Sequence, residues 1–473
     1  MAKPPNVLWI CTDQQRYDTI GALGNAHART PVLDRFVGEG VCFDNAFCQS
    51  PVCSPSRASF LTGRYPRTTG CRQNGQTIPK DEVLVSKLFH DAGYRCGLAG
   101  KLHLASCSDG KVEERTDDGY DDFFWSHHPQ PDWEENIYTQ WLAEKGKTWD
   151  ELLGEDLSPY VKGGPPAEFH QTTWCAEKTI EFIRENEDKP WFFSFNCFDP
   201  HHPFDPPADY LERFPVGDMP LPSVHPNEEH RQTTFQKLDR EWAHNQPGEF
   251  HSGAMTDDDR RQVYAAYMAM VTLIDEQVGR ILEALEETGQ DRDTLVIFMS
   301  DHGEMLGDHG IYFKGPHFYD CQMRVPLVMR WPAGGIQSDR RVGGMVELVD
   351  LAPTLLDAAG LEVPARMQGK SLLPMLQGED EAGYVHEQVF AEYYNSWTHG
   401  DAYGTMLRTS REKIVVYHGT AQGEFYDLEK DPDEFFNLWD HPDAQVRKNE
   451  MLLRCFDASV FSMDPHPPRM GPF

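Results

Sequence analysis

Two apolar runs constrain the fold more than any other feature of the chain: Asn6 to Thr12 (NVLWICT) and Thr294 to Ser300 (TLVIFMS). Both read as buried strands, and each stops abruptly on an aspartate, Asp13 and Asp301. Similar strand runs are Val41 to Cys48, Cys96 to Leu104, Trp191 to Asn196 and Val325 to Trp331. Helical segments alternate with them: Pro31 to Glu39, a short helix Ser56 to Gly63 closed by glycine, and an amphipathic Val83 to Ala92 ending at Gly93. The longest helix is expected from Asp257, with Val263, Tyr267, Met270, Val271, Ile274, Val278, Ile281, Leu282 and Leu285 at steps of three and four. Thr256 with Asp259 suits its cap and Gly289 its stop. Alternation of this kind predicts an α/β fold with a large, mostly parallel or mixed central sheet flanked by helices.

At 473 residues the chain exceeds one ordinary domain. After about Gly383 the pattern changes to short strand candidates, Phe390 to Tyr394, Thr405 to Thr409, Lys413 to Tyr417 and Glu424 to Tyr426, separated by turn residues. The expected division is a large N-terminal α/β domain over 1–382 and a smaller C-terminal α+β subdomain over 383–473, carrying an antiparallel sheet and a packing helix. An acidic, aromatic insert over about 105–165 reads as an inserted lobe or lid, and 206–253 as extended loop. The insert's Tyr120, Phe123, Phe124, Trp125, Trp133, Trp141 and Trp149 suit its own core better than a pocket wall. Trp397 and His399 are candidates for the pocket from the small subdomain.

A formal charge of -33 excludes nucleic acid and anionic membranes as partners, while leaving room for a local cation cluster that holds one small oxyanion. No apolar run approaches the roughly 20 residues of a spanning helix. The 11 cysteines lack the close spacing of a metal ribbon, and no apolar signal core follows Met1. The expectation is a cytoplasmic protein with reduced thiols. Oligomeric state is not readable.

Ligands of α/β sheets gather beyond the carboxyl ends of strands. Asp13 and Gln14 stand at one such end, and Asp301 and His302 at another. Four oxygen or nitrogen donors there suit a divalent cation, although a strand-end aspartate alone is more often a turn or cap. Cys53 is expected just before a helix, where backbone N–H groups favour an anion, with Arg57 one turn on. Local chemistry leaves a reactive nucleophile and a buried free thiol about even.

The run CSPSRASFLTGRYP from Cys53 resembles the signature of the formylglycine-dependent type I sulfatases, within the alkaline-phosphatase-like superfamily. Further segments follow in family order: Gly100-Lys101-Leu102-His103, Pro200-His201-His202-Pro203, Asp301-His302-Gly303 with Lys314, and a closing segment from Gly423 to Leu438. The resemblance implies that a formylglycine-generating enzyme oxidises Cys53 to Cα-formylglycine, whose hydrate attacks sulfur to give a covalent sulfo-enzyme. It implies metal ligands Asp13, Gln14, residue 53, Asp301 and His302. Arg57 then fixes the nucleophile, Lys101 and Lys314 hold sulfate oxygens, His201 is the acid for the leaving oxygen, and His103 is the base. The substrate implied is a small sulfated sugar, aryl or alkyl compound.

The chain departs from the common pattern at Gln14 and His302, where many sulfatases carry a second aspartate and an asparagine. Calcium is the expected cation and manganese the alternative, because imidazole suits manganese better than an all-oxygen cage does. The nearest rival is a phosphonate monoester or phosphodiester hydrolase of the same superfamily, which shares the Asp-Gln and Asp-His pairs but typically lacks the Lys-x-His pair. A non-catalytic metal-binding scaffold is the rival from another class, and no H-E-x-x-H or C-x-x-C spacing supports a zinc site. Any histidine taken alone, among 20, is more often structural; only their places in these segments raise His103 and His201, and His202 and His309 are read as supporting groups.

Overall fold

A computed structural model describes residues 4–107, 111–128, 135–245, 250–336, 338–379, 383–396, 400–465 and 471. Trp133, Trp397 and His399 lie outside the described residues. The strands of the main sheet are β1 (Asn6–Thr12), β2 (Val41–Phe47), β3 (Arg95–Gly100), β4 (Asp122–Trp125), β5 (Trp191–Asn196), β6 (Thr294–Ser300), β7 (Arg324–Val325), β8 (Leu327–Arg330) and β9 (Arg340–Glu347). Their spatial order is β4-β3-β5-β1-β6-β8-β2-β7, with β9 also paired to β2. From β4 to β6 every pairing is parallel, while β8 runs antiparallel to both β6 and β2, so the sheet is mixed.

Alternate residues of the central strands feed two cores, as a sheet with a side-chain period of two requires. Leu8, Ile10, Phe193, Phe195, Val296 and Phe298 meet the helices Pro31–Glu39, Gln171–Glu185 and Asp257–Glu287. Val7, Trp9, Phe192, Leu295 and Ile297 meet the helix Cys53–Thr62 and its neighbours on the other face. The long helix carries the expected capping box, Thr256 with Asp259. It ends at Glu287, two residues before Gly289, whose φ is +67°.

Five expectations need correction. The helix that carries residue 53 begins at Cys53 itself, three residues before Ser56, because the Pro-Ser pair after it suits a first turn. The strand from Cys96 stops at Gly100, short of Leu104. At Gly100 φ is +105°, and a Cβ would lie 1.9 Å from the Asn196 carbonyl oxygen, so the chain can turn away only on a glycine. The strand around Val325 is split at Pro326, which cannot donate to the ladder. Residues 206–253 are not simply extended: Thr234–Asn245 is a helix inside them. The insert, too, is less separate than a lobe, since its β4 joins the sheet edge beside β3. Tyr120, Trp141 and Trp149 are buried in the main cores, Trp125 is buried as well, and the Tyr120 hydroxyl bonds the Ser194 hydroxyl at 2.9 Å.

The second sheet is antiparallel: β10 (Gln388–Tyr394), β11 (Tyr403–Thr409), β12 (Glu412–Tyr417) and β13 (Gly423–Asp427) in that order. One face, with Phe390, Leu407, Ile414 and Phe425, takes Met451 and Cys455 of the helix Gln445–Phe461. The other, with Val389, Ala391, Met406 and Val415, is continuous with the core of the large sheet. Among the described residues, no helix is long and apolar enough to cross a membrane.

Candidate active site

The carboxyl ends of β3, β5, β1 and β6 lie side by side, in a register that pairs Gly100 with Asn196, Cys11 with Asn196, and Thr12 with Ser300. The residues just beyond continue the ladder: Lys101 N–H donates to Asn196 O at 2.9 Å, Asp13 N–H to Asp199 O at 3.2 Å, and Asp301 N–H to Thr12 O at 3.2 Å. Backbone bonding thus brings three charged side chains, distant in sequence, to one edge. The helix Cys53–Thr62 points its N-terminus there, with Asn74 Oδ1 accepting from the free Ser54 N–H at 2.9 Å.

Asp13, Cys53, Asp301 and His302 are fully buried, with ligand atoms within 4.8 Å of one another. Cys53 Sγ lies 3.1 Å from His302 Nε2 and 3.7 Å from Asp13 Oδ1. His302 Nδ1 donates to the Gly303 carbonyl at 2.8 Å, which leaves its Nε2 lone pair facing the cluster. Arg57 threads between the acids: Nε donates to Asp301 Oδ2 at 2.9 Å, Nη2 reaches Asp13 Oδ2 at 3.5 Å, and Nη1 donates to the Lys101 carbonyl at 2.9 Å. Lys101 Nζ is hydrogen-bonded to Asp13 Oδ2. The Gln14 backbone takes a left-handed φ of +68° and its N–H donates to Asp301 Oδ1 at 3.0 Å. Its amide Nε2 donates to Glu304, and its Oε1 accepts from Lys314 Nζ at 2.6 Å. A left-handed glutamine in a buried cluster is strain of the kind found at functional sites.

The outer part is a wall of histidines. His201 Nδ1 donates to the His202 carbonyl, so its Nε2 accepts from Lys314 Nζ at 2.6 Å. His202 stacks on His201 at 4.1 Å, and His309 stacks on Tyr319 at 3.8 Å. Phe198 packs against His201, His127 and His128. His103, with a φ of +61°, stands edge-on to His127 at 4.5 Å.

Charge sets the protonation states. Burial pushes the Asp13 carboxyl up, but Lys101, His201, Arg57 and Lys314 together bring it well below the usual carboxylate range. Burial and Asp13 oppose ionisation of the Cys53 thiol, yet Lys101, Lys314 and His302 outweigh them and lower its pKa. Burial, reinforced by Lys101 and Arg57, holds His103 well below the ordinary imidazole value. Burial and Lys314 do the same to His201. His302 goes the other way: burial disfavours its cation, but Asp301 and Cys53 raise it.

Asp13, Gln14, Cys53, Arg57, Lys101, His103, His201, Asp301, His302 and Lys314 therefore lie in or beside one cluster. Sequence reasoning missed four others. Ser56 Oγ donates to the Asp301 carbonyl at 2.6 Å, Glu304 orients Gln14, Asn74 completes the helix start, and His127 faces His103. Ser56 stood inside the quoted Cys53 segment and Glu304 directly after Asp301-His302-Gly303; Asn74 and His127 carried no signal, being brought in by loops. The donor set suits a hard divalent cation: two carboxylates, the Gln14 amide oxygen and one imidazole nitrogen, in a buried space where the acids already need positive charge.

The family model described as Sulfatase matches residues 5–361. The chain belongs to the sulfatase family. The C-terminal model of N-sulphoglucosamine sulphohydrolase matches residues 307–457. By class the protein is a sulfuric ester hydrolase. It is 30% identical over 458 residues to an arylsulfatase of Clostridium perfringens (strain 13 / Type A), covering 92% of this sulfatase and 90% of the relative. It is also 30% identical over 477 residues to the multifunctional alkaline phosphatase superfamily protein PehA of Trinickia caryophylli, covering 92% and 91%. The phosphonate monoester hydrolase of Agrobacterium radiobacter superposes with a TM-score of 0.85 at 27% identity, covering 98% of this chain and 96% of that one.

Proposed function

We propose that the enzyme hydrolyses a small sulfate monoester to an alcohol and sulfate, with residue 53 as the nucleophile after oxidation to formylglycine by a dedicated maturation enzyme. The observation that carries this reading is the burial of Cys53 at a helix N-terminus against Asp13 and His302, with Arg57, Lys101 and Lys314 around it. Asp13, Gln14, Asp301 and His302 are assigned to one divalent cation, calcium first and manganese as the alternative. When bound, it supplies positive charge beside the sulfate oxygens and acidifies a neighbouring hydroxyl. Formylglycine, once hydrated, supplies one hydroxyl to attack sulfur and a second whose ionisation expels the sulfate.

The remaining work falls to side chains already in place. Arg57 is locked by three contacts and holds its charge next to residue 53. Lys101 and Lys314 are point charges for the SO3 oxygens. The Lys314 ammonium spends two of its three N–H groups on Gln14 and His201 and has one left for substrate. Fixed cations aimed at developing charge are often the largest contribution to catalysis. The proton in the Lys314–His201 hydrogen bond is the one assigned to the leaving oxygen, which refines His201 from a lone acid to half of a pair. His103, neutral at pH 7, is the base that frees the second hydroxyl. The catalytic unit is assigned to residues 1–382 and the subdomain to 383–473.

The likeness to the Agrobacterium enzyme favours a second reading, phosphonate monoester hydrolysis. Lys101 and His103 favour sulfate. Turnover of an aryl sulfate and an aryl phosphonate, compared on protein whose residue-53 peptide carries an aldehyde by mass spectrometry, separates the two. Full activity with an unmodified thiol would refute the formylglycine reading.

A further inference from the structure

A second cluster of metal-ligating groups lies beside the first. His103, Cys107 and His127 bring one ligand atom each to within 4.8 Å of one another. The two imidazoles meet edge-on, with ring centroids 4.5 Å apart. Two buried ring nitrogens, His103 Nδ1 and His127 Nε2, have no hydrogen-bond partner. His103 is 8% exposed, so its unpartnered nitrogen is enclosed by protein. On its far side, His127 Nδ1 pairs with His128 Nδ1 at 2.6 Å. With the shared proton on His127 Nδ1 and His128 Nδ1 accepting it, Nε2 keeps a lone pair, the way an outer partner sets the tautomer of a ligating histidine. Behind the cluster, Glu113 Oε1 accepts from the His103 backbone N–H at 3.1 Å, while its buried Oε2 has no partner. All eleven cysteines are free, and Cys107 alone among them is not fully buried. It stands where an ion from solvent can reach it.

Two imidazoles and a thiol are the donor set of a thiophilic cation, distinct from the oxygen-rich set at Asp13, Gln14 and Asp301. Three protein donors leave the fourth tetrahedral position open. We propose that His103, Cys107 and His127 form a second site that takes a thiophilic divalent cation, zinc first, and that its occupation stops turnover by engaging His103. Binding exchanges the Cys107 thiol proton, released to solvent, for a metal–sulfur bond. The inhibitory half rests on His103 being the base of the reaction; the binding half does not.

The test uses full-length protein with millimolar calcium present. Cobalt(II) alone is titrated into Cys53→Ser protein, where the residue-53 thiol is gone, and near-ultraviolet thiolate-to-cobalt absorption is followed. The band is expected in Cys53→Ser and absent when Cys107→Ser or His127→Gln is added. Zinc alone is then titrated into the mature enzyme during aryl sulfate turnover. Inhibition reversible by a chelator is expected. In Cys107→Ser, basal turnover is expected to be retained, and in both Cys107→Ser and His127→Gln the inhibitory zinc concentration, read against each variant's own zinc-free rate, is expected to rise by more than the roughly 10–100-fold that loss of an outer hydrogen-bond partner costs a metal. Absence of the cobalt band, or a band that survives both substitutions, overturns the site. A band with the expected dependence but turnover insensitive to zinc overturns the inhibitory half, leaves the binding site standing, and counts against His103 as base. Equal zinc inhibition in wild type and both variants places the ion elsewhere and also overturns the inhibitory half.

Discussion

Replacing Arg57 by alanine tests the electrostatic organisation of the site most directly. Its guanidinium is 1% exposed, so solvent screening does not dilute what it does. It makes a 2.9 Å charge-assisted bond to Asp301, a 3.5 Å contact to Asp13 and a 2.9 Å bond to the Lys101 carbonyl. Two good bonds involving a charged group, at about 1.5–3 kcal/mol each, amount to about 3–6 kcal/mol. Breaking a buried ion pair from one side costs a similar ~3–5 kcal/mol, because the partner carboxylates stay behind uncompensated. Arg57→Ala is therefore expected to lose about 3–5 kcal/mol of stability in chelator, read by urea unfolding with tryptophan fluorescence. With calcium saturating, the acids regain a counter-charge and the loss shrinks. Arg57→Lys, which keeps the charge but not the planar fork, recovers only part of it. A loss under about 1 kcal/mol in chelator, or one of equal size with and without calcium, refutes the reasoning.

Lys314→Ala should lower kcat/KM for an aryl sulfate by about 10²–10³-fold, the scale for a lost oxyanion donor. It should also raise the pKa of His201, since Lys314 is, after burial, the strongest influence holding it down; NMR titration of the imidazole reads this. Proton uptake by His103 is disfavoured, so the acid limb of the kcat profile should fall below pH 6.5, its ordinary value, and His103→Gln should cost about 10²–10⁴-fold in kcat. Away from the site, burial opposes charging of His386, but Asp350 at 2.8 Å and Glu347 raise its pKa to about 9. A raised folded-state pKa stabilises fully below the unfolded value near 6.5. That contribution, about 3 kcal/mol, is lost as pH rises through 9; His386→Gln should flatten this part of the stability profile.

Much of the fold was legible because the central strands are buried on both faces. Such strands read as runs that are mostly apolar at successive positions, so Asn6–Thr12, Trp191–Asn196 and Thr294–Ser300 announce themselves with correct ends. The long helix was legible from its stripe and its capping box. The helix Thr234–Asn245 was not, because the Pro, His and Asn around it mask a short stripe. β4 was missed because it sits at the sheet edge, where three of its four residues are only partly buried.

The amino-acid order by itself determined which residues are available for chemistry: Cys53 with Arg57, the acids at two strand ends, and the Lys-x-His pair. It also determined that those acids would sit at strand ends, because apolar runs stop where charge begins. Only the tertiary structure decided which groups meet. Cys53 reaches His302, 249 residues away, and Lys101 reaches Asp13 because β3, β5, β1 and β6 end in register. Tautomers were decided there as well: His302 and His201 each spend Nδ1 on a backbone carbonyl and turn Nε2 inward. The same packing placed His127 of the insert against His103, a contact between residues 24 positions apart that no local pattern encodes. Strand ends and motifs are local properties, carried by neighbouring side chains, whereas a charge cluster depends on backbone register across a sheet and on loops that the register brings together.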